Sequence, residues 1–351
     1  EMLPPLASGQ VIHTAWRVDL VTLHGDQTRG HAPWLRDEQL YFADPRGHVY
    51  AYAADTGRRV WETDTDSELT LALGGNTAIL AVGTRRGEVI ALDVRDGAIK
   101  WRTSVSSEVL GIARSNDNDS LLIRTGDEKI HALNPSTGAR LWLAERTAPL
   151  LTLRGVGLPA LAGDRVIAGF ANGKLAAFKR QDGTILWEIT VATPQGRSEL
   201  EQLVDIDTTP LIRGDTLYSV AYQGRLVAVG LQNGRLLWSK EFSAYHSLAA
   251  DNERHFFVDA AGVVWAIDPQ TGSALWKQDL LAGRLPTPPL VHGDYIIVGD
   301  GSGQLHWFNR QDGTPVARYT VDANQAIHAA PLSDAKRIYA ISAVGGLEAL
   351  H

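Results

Sequence analysis

Apolar and polar residues alternate along this chain in short bursts, and the bursts recur. Glu88-Val89-Ile90-Ala91-Leu92 is one, preceded by the apolar run Ala78-Ile79-Leu80-Ala81-Val82. Pairs of this kind predict adjacent antiparallel strands. The segment from Ala266 to Trp276 shows how each pair of bursts is joined: an apolar strand end, an Asp-Pro-Gln-Thr-Gly turn, and a strand closing on tryptophan. Ala132 to Trp142 repeats its Pro, Thr, Gly and Trp at the same offsets. Glycine suits such a reversal because the turn demands positive φ, while Asp, Asn, Thr and Pro supply local hydrogen bonds or a fixed φ.

The turn glycines fall at Gly57, Gly97, Gly138, Gly183, Gly234, Gly272 and Gly313, spaced by 40, 41, 45, 51, 38 and 41 residues. That period belongs to blade-forming repeats. Ten residues earlier stands a second glycine (Gly47, Gly87, Gly173, Gly224, Gly262 and Gly303), with Glu128 in its place in the third repeat. Each repeat therefore carries two turns and four strands. A four-stranded unit cannot bury both faces alone, and radial stacking solves the problem with short exposed edges. Trp61, Trp101, Trp142, Trp187, Trp238 and Trp276 each follow a turn glycine by four residues. They are expected to be core residues between blades, each worth roughly 3–5 kcal/mol if truncated to Ala.

The ends of the chain complete the count. Gly345, Leu347, Ala349 and Leu350 begin an eighth repeat that lacks its tryptophan strand, and Thr14 to Leu20, with Trp16, resembles that strand. The expectation is an all-β, eight-bladed β-propeller of four antiparallel strands per blade, a single domain over residues 1–351 closed by the N-terminal strand. Deleting Val11 to Leu20 should then destabilise the fold beyond what ten residues suggest. Ala317 occupies the tryptophan position of the seventh repeat, and nothing in the sequence explains it.

Composition narrows the chemistry. With 44% hydrophobic residues and no apolar run of membrane-spanning length, the 351-residue chain reads as globular. Its net charge of −7, with both signs interspersed, provides no basic stripe for DNA or RNA. Absence of cysteine removes disulfides, thiolate metal sites and cysteine nucleophiles. No His-x-x-x-His pair occurs, and His246 and His255 read as surface or packing residues. Gly299-Asp300-Gly301-Ser302-Gly303 has the composition of a phosphate loop, but a strand follows it where a phosphate cradle would open a helix, so it reads as a hairpin turn. Asn116-Asp117-Asn118-Asp119 lacks calcium-loop spacing and reads as a solvated loop. No cofactor, metal or catalytic residue is assigned.

Function is expected where the repeat is violated. The 51-residue spacing contains Thr193 to Pro210, in which Ser198 and Glu201 have capping-box spacing and predict a short helical turn. A loop this long in a compact β-domain is functional or disordered, and its leucines favour function. The second irregular stretch, Ala148 to Pro159, carries Leu151 and Leu153 on one side with Arg154 beside them. Two readings stay open there. Arg154 pairs with a nearby carboxylate such as Asp205 or Asp207 inside the blade, or the leucines, arginine and two acids form a protein-binding patch.

The Ala-x-Asp-x-x-Thr-Gly-x-x-x-Trp pattern resembles the tryptophan-docking repeat of the pyrroloquinoline-quinone propeller superfamily. Within it the whole chain looks like the BamB family, lipoproteins of the bacterial outer-membrane β-barrel assembly machinery, on the strength of Leu151-Thr152-Leu153-Arg154-Gly155 and the Ser198–Pro210 segment. The resemblance implies a non-enzymatic periplasmic scaffold. It further implies that Leu151, Leu153, Arg154, Asp205 and Asp207 contact a polypeptide-transport-associated domain of BamA, with unfolded outer-membrane proteins as possible clients. The family's lipid-bearing cysteine is absent from this sequence, so attachment to the outer membrane at its periplasmic face is implied by resemblance alone. The rival is a quinone-dependent dehydrogenase, whose Asp or Glu metal ligands could converge from distant blades without a local motif. A third reading is an interaction module of another envelope system.

Overall fold

The computed structural model describes residues 3, 11–20, 33–117, 119–146, 157–193, 205–206, 208–244 and 246–351. Among them no helix occurs; the regular structure is eight four-stranded antiparallel sheets. Blades 1 to 7 are built from strands within residues 34–64, 69–104, 109–145, 160–190, 211–240, 249–278 and 290–320, and in each the spatial order follows the chain. Blade 8 uses Leu332–Ser333, Ile338–Ile341 and Gly346–Leu350, and its fourth strand is Thr14–Asp19. The expected closure by the N-terminal strand is therefore present. Arg17, Val18 and Asp19 pair with Glu348, Leu347 and Gly346, and His13 and His351 exchange two backbone hydrogen bonds of 3.0 Å.

Burial follows position in the sheet. Second and third strands are buried along their length, as in Ile79–Thr84 and Glu88–Asp93, because both of their faces are covered. Fourth strands are sheet edges and alternate, as in Ile185–Thr190. Contacts divide the chain into two compact units, one of Glu1–Phe42, Ala51–Val60 and Leu248–His351, the other of Ala43–Tyr50 and Trp61–Ser247.

Within each unit the tryptophans perform one repeated task. The indole N–H of Trp61, Trp101, Trp142 and Trp187 donates to a backbone carbonyl in the last turn of the following blade: Val94, Pro135, Arg180 and Leu231, at 3.1, 2.7, 2.7 and 2.9 Å. Trp276 does the same to Arg310, and Trp16 to Ala54, both at 3.0 Å. The ring lies flat against that turn's glycine. A Cβ on Gly57, which has φ +68°, would lie 2.6 Å from Cε3 of Trp16, so both backbone conformation and space require glycine.

Burial of these rings differs from expectation. Trp61, Trp142 and Trp187 are buried, but Trp16, Trp101, Trp238 and Trp276 are only half-buried. All seven stand on a fourth strand at a sheet edge, so strand position alone does not separate the two groups. They are staples between blades more than members of a sealed core.

Candidate partner-binding site

Sequence reasoning places the site on two stretches that interrupt the repeat. Leu151, Leu153, Arg154 and Asp207 lie outside the described residues, as does the Ser198–Glu201 turn. Asp205 is described and is 1% exposed. Its carbonyl accepts the Tyr222 N–H at 2.9 Å. The backbone on either side of both stretches is defined, and it shows how they are held.

Residues 147–156 are bracketed by two arginines. Arg146, on the near side, donates from Nε to Glu188 Oε2 at 3.0 Å and lies over the rings of Phe178 and Phe170, 5.1 and 5.7 Å from their centroids. Glu188 also receives Lys174 at 2.7 Å, and the two cations, Lys174 foremost, hold its carboxyl below the ordinary range. On the far side Arg124 donates from Nη1 to the carbonyl of Gly157 at 3.1 Å. Arg124 is itself buried and paired to buried Glu128 at 3.3 Å, and Glu128 accepts the backbone N–H of Ala171 at 3.0 Å.

The second stretch ends on an apolar plug. Ile206 is fully buried in a cluster with Ile167, Leu175, Trp187, Leu217 and Val227. It reaches that position because Gly169 has no side chain; a Cβ there would come within 3.0 Å of Ile206. Thr208, also buried, donates to the carbonyl of Val220 at 3.0 Å. Asp205-Ile206 was read as part of the irregular loop, yet the same plug recurs elsewhere, with Ile327 over Gly299 and Val109 over Gly83. This portion of the loop is a repeat feature whose signal, a glycine closing the second strand, was visible in the sequence.

The two stretches meet. Leu158 N–H donates to Thr209 Oγ1 at 2.9 Å, and Thr209 N–H donates to Ser247 Oγ at 2.9 Å. The chain leaving each irregular segment is therefore fastened to the other.

Other candidate residues resolve into structural roles. In Gly299 to Gly303, Asp300 Oδ1 accepts the N–H groups of Ser302 and Gln304 at 2.9 and 3.0 Å, so these loop amides are consumed internally as a hairpin requires. Asp300 Oδ2 meets His306 Nε2 at 3.0 Å and Arg284 Nε at 2.9 Å, a buried cluster the sequence did not reveal. His255 is buried, in line with packing. Asp117 lies in a solvated loop, as expected, its side chain 43% exposed and its described neighbours Asn116 and Asp119 exposed. Arg180 grips it, with Nη1 at 2.9 Å from Oδ2, and this pairing foremost holds its carboxyl low. Among the described residues no cluster of three His, Asp or Glu side chains is arranged to hold a metal ion.

Fold and repeat together define an eight-bladed β-propeller of pyrroloquinoline-quinone-type repeats. Comparison with known proteins makes this specific. The family model described as "Outer membrane protein assembly factor BamB" matches residues 45–278 and 260–351. The chain is 37% identical over 320 residues to the outer membrane protein assembly factor BamB of Bordetella pertussis, covering 91% of this chain and 82% of that protein. The crystal structure of BamB from Moraxella catarrhalis superimposes with a TM-score of 0.86 at 28% identity, covering 97% of this chain and all of that one. A quinohemoprotein alcohol dehydrogenase from Pseudomonas putida shares the fold, with a TM-score of 0.73 at 14% identity over 97% of this chain and 75% of that one. The chain belongs to the BamB family of outer membrane protein assembly factors.

Proposed function

We propose that the chain is a non-enzymatic scaffold subunit of the outer-membrane β-barrel assembly machinery, acting as a single domain at the periplasmic face of the outer membrane, to which a lipid anchors it. It binds BamA through one of that protein's polypeptide-transport-associated domains and so supports insertion of outer-membrane proteins. Leu151, Leu153, Arg154 and Asp207 supply the contacts. Asp205, which is buried, belongs to the same set.

The observation that carries the reading is the junction of the two irregular stretches at Leu158 and Thr209. Two stretches that break the repeat at distant points in sequence are joined there by a hydrogen bond from the Leu158 N–H to the Thr209 hydroxyl, as a composite protein-binding surface requires. A fold shared with a dehydrogenase at 14% identity carries no activity by itself.

A second interaction has its own support. The fourth strands are sheet edges bearing exposed apolar residues, among them Leu141, Ile185, Leu186, Leu236, Leu237 and Leu275. Extended, unfolded client chains suit such edges.

Calorimetric titration with the isolated periplasmic region of BamA tests the main proposal. Saturable binding is expected, and it should be lost in Arg154→Glu and in the double charge reversal of Arg154 and Asp207, with folding verified by circular dichroism. Equal affinity of parent and double reversal would refute the assigned surface.

A further inference from the structure

Two residues of blade 3 break the repeat together. The position before each blade's middle turn is occupied in the other blades by Ala43, Gly83, Gly169, Val220, Val258, Gly299 and Ile341, all small or apolar. In blade 3 it is Arg124. Four residues on, the left-handed turn position is held by glycine in six blades, with φ from 73° at Gly173 to 115° at Gly47. In blade 3 it is Glu128, at φ 59°. A side chain in that conformation is disfavoured, and a lone buried arginine or glutamate is more so. Each departure is unfavourable singly; together they form an ion pair 3.3 Å apart, with both partners below 5% exposure.

The pair also inverts the contact made elsewhere between neighbouring blades. At Gly83, Gly169 and Gly299 the missing side chain makes room for Val109, Ile206 and Ile327 from the incoming chain. In blade 3 the direction reverses: Arg124 extends outward, and the incoming chain offers Gly157, whose carbonyl takes a guanidinium N–H. Glu128 meanwhile holds the Ala171 amide. A charged fork thus grips backbone where the other blades use an apolar plug. What it grips is Gly157, one position before the Leu158–Thr209 bond.

We propose that Arg124 and Glu128 are positioning residues for the partner-binding surface, fixing the Gly157–Leu158 backbone at its junction with Thr209. The inference rests on the scaffold reading above for its consequence, though not for its geometry. A guanidinium donating at once to a carboxylate and a carbonyl fixes direction as well as distance.

The test is Arg124→Val/Glu128→Gly, which gives blade 3 the residue types of the other blades and removes both charges of the pair together. Arg124→Lys is the second variant; it keeps the charge but lacks the fork needed to serve Glu128 and Gly157 at once. Two readouts are taken on the full chain: hydrogen exchange of the Leu158 amide, and affinity for the isolated periplasmic region of BamA. The proposal expects Leu158 exchange to quicken at least tenfold and affinity to fall at least tenfold in both variants, with the circular dichroism spectrum unchanged. Unaltered Leu158 exchange in folded variants overturns the positioning role whether or not the parent binds. Quickened exchange with unaltered affinity overturns its link to binding. Failure of the parent to bind refutes the scaffold reading instead, and the exchange data then decide the positioning role by themselves.

Discussion

Trp307 and Ala317 face each other across the third and fourth strands of blade 7, reversing an arrangement that six other blades share. Ala91 opposes Trp101, Ala132 opposes Trp142, Ala177 opposes Trp187, Ala228 opposes Trp238, Ala266 opposes Trp276 and Ala349 opposes Trp16, always with tryptophan on the fourth strand. The exception follows from topology. A fourth-strand indole docks on the turn joining the third and fourth strands of the next blade. In blade 8 those strands are Gly346–Leu350 and Thr14–Asp19, drawn from opposite ends of the numbering, so no short turn joins them. The indole moves to Trp307 instead, 2% exposed among Ile297, Leu305, Ile338 and Leu350. Restoring the repeat with Ala317→Trp should therefore destabilise by about 1–3 kcal/mol through overpacking. Urea unfolding checks this, and a raised midpoint would refute it.

Trp16 occupies the one blade whose strands are not continuous in sequence. Its docking on Ala54 and Gly57 is accompanied by Arg17, which reaches Glu348 at 2.7 Å and Asp322 at 2.8 Å. Trp16→Ala should cost about 2–4 kcal/mol, below the full range for a sealed aromatic because the ring is half-buried. Deleting residues 11–20 should cost more, since it also unpairs the strand Gly346–Leu350. Equal unfolding midpoints for the deletion and the parent would contradict the closure.

What the sequence disclosed was whatever repeats. Period, turn glycines and tryptophan spacing specify eight four-stranded sheets, because each is a backbone or packing demand made again in every blade. Glu128 and Arg124 show the limit. Glu128 was visible as the residue replacing a turn glycine, but its partner could be found only by seeing that the second strand folds back beside it. Ile206 erred the other way, being assigned to an irregular loop when it fills the standing space over Gly169. Ala317 was legible as an exception only, since its cause lies in which strands are joined.

Acid sensitivity should arise from buried imidazoles before carboxylates. Burial pushes His306 and His131 below the ordinary value of 6.5, with Asp300 and Asp127 opposing in part. A depressed folded pKa means that the unfolded chain binds the proton first, so this stability is present above about pH 6.5 and declines as pH falls below it. Burial alone would raise the Asp300 carboxyl, but His306, the Gln304 amide and Ser302 outweigh it and hold it low, so its contribution is lost only in stronger acid. His131→Gln should flatten the fall in stability between pH 6.5 and 4.5, measured by urea unfolding at stepped pH. An unchanged slope would mean that His131 binds its proton equally in the folded and unfolded chain, against the depressed folded value.

Gly169 and Ile206 supply the most direct link between packing and the proposed surface. Ile206→Ala should cost about 2–5 kcal/mol, the range for a fully buried branched side chain, and Ile206→Val about 0.5–1.5. Gly169→Ala has no φ penalty, since Gly169 lies outside the left-handed region, so its whole effect is the clash with Ile206. The clash is with the chain as well as the side chain: Ile206 Cγ2 lies nearest the added Cβ, but the Ile206 carbonyl oxygen and Cβ, at 2.5 and 2.6 Å, survive truncation, so Gly169→Ala should still destabilise by at least about 1 kcal/mol in an Ile206→Ala background. Because Asp205 and Thr208 flank the plug, Gly169→Ala should also weaken BamA binding while leaving Trp16 docking untouched. A Gly169→Ala cost that vanishes in the Ile206→Ala background would mean that the chain at Ile206 yields freely, and would remove the rigid seat on which this half of the surface depends.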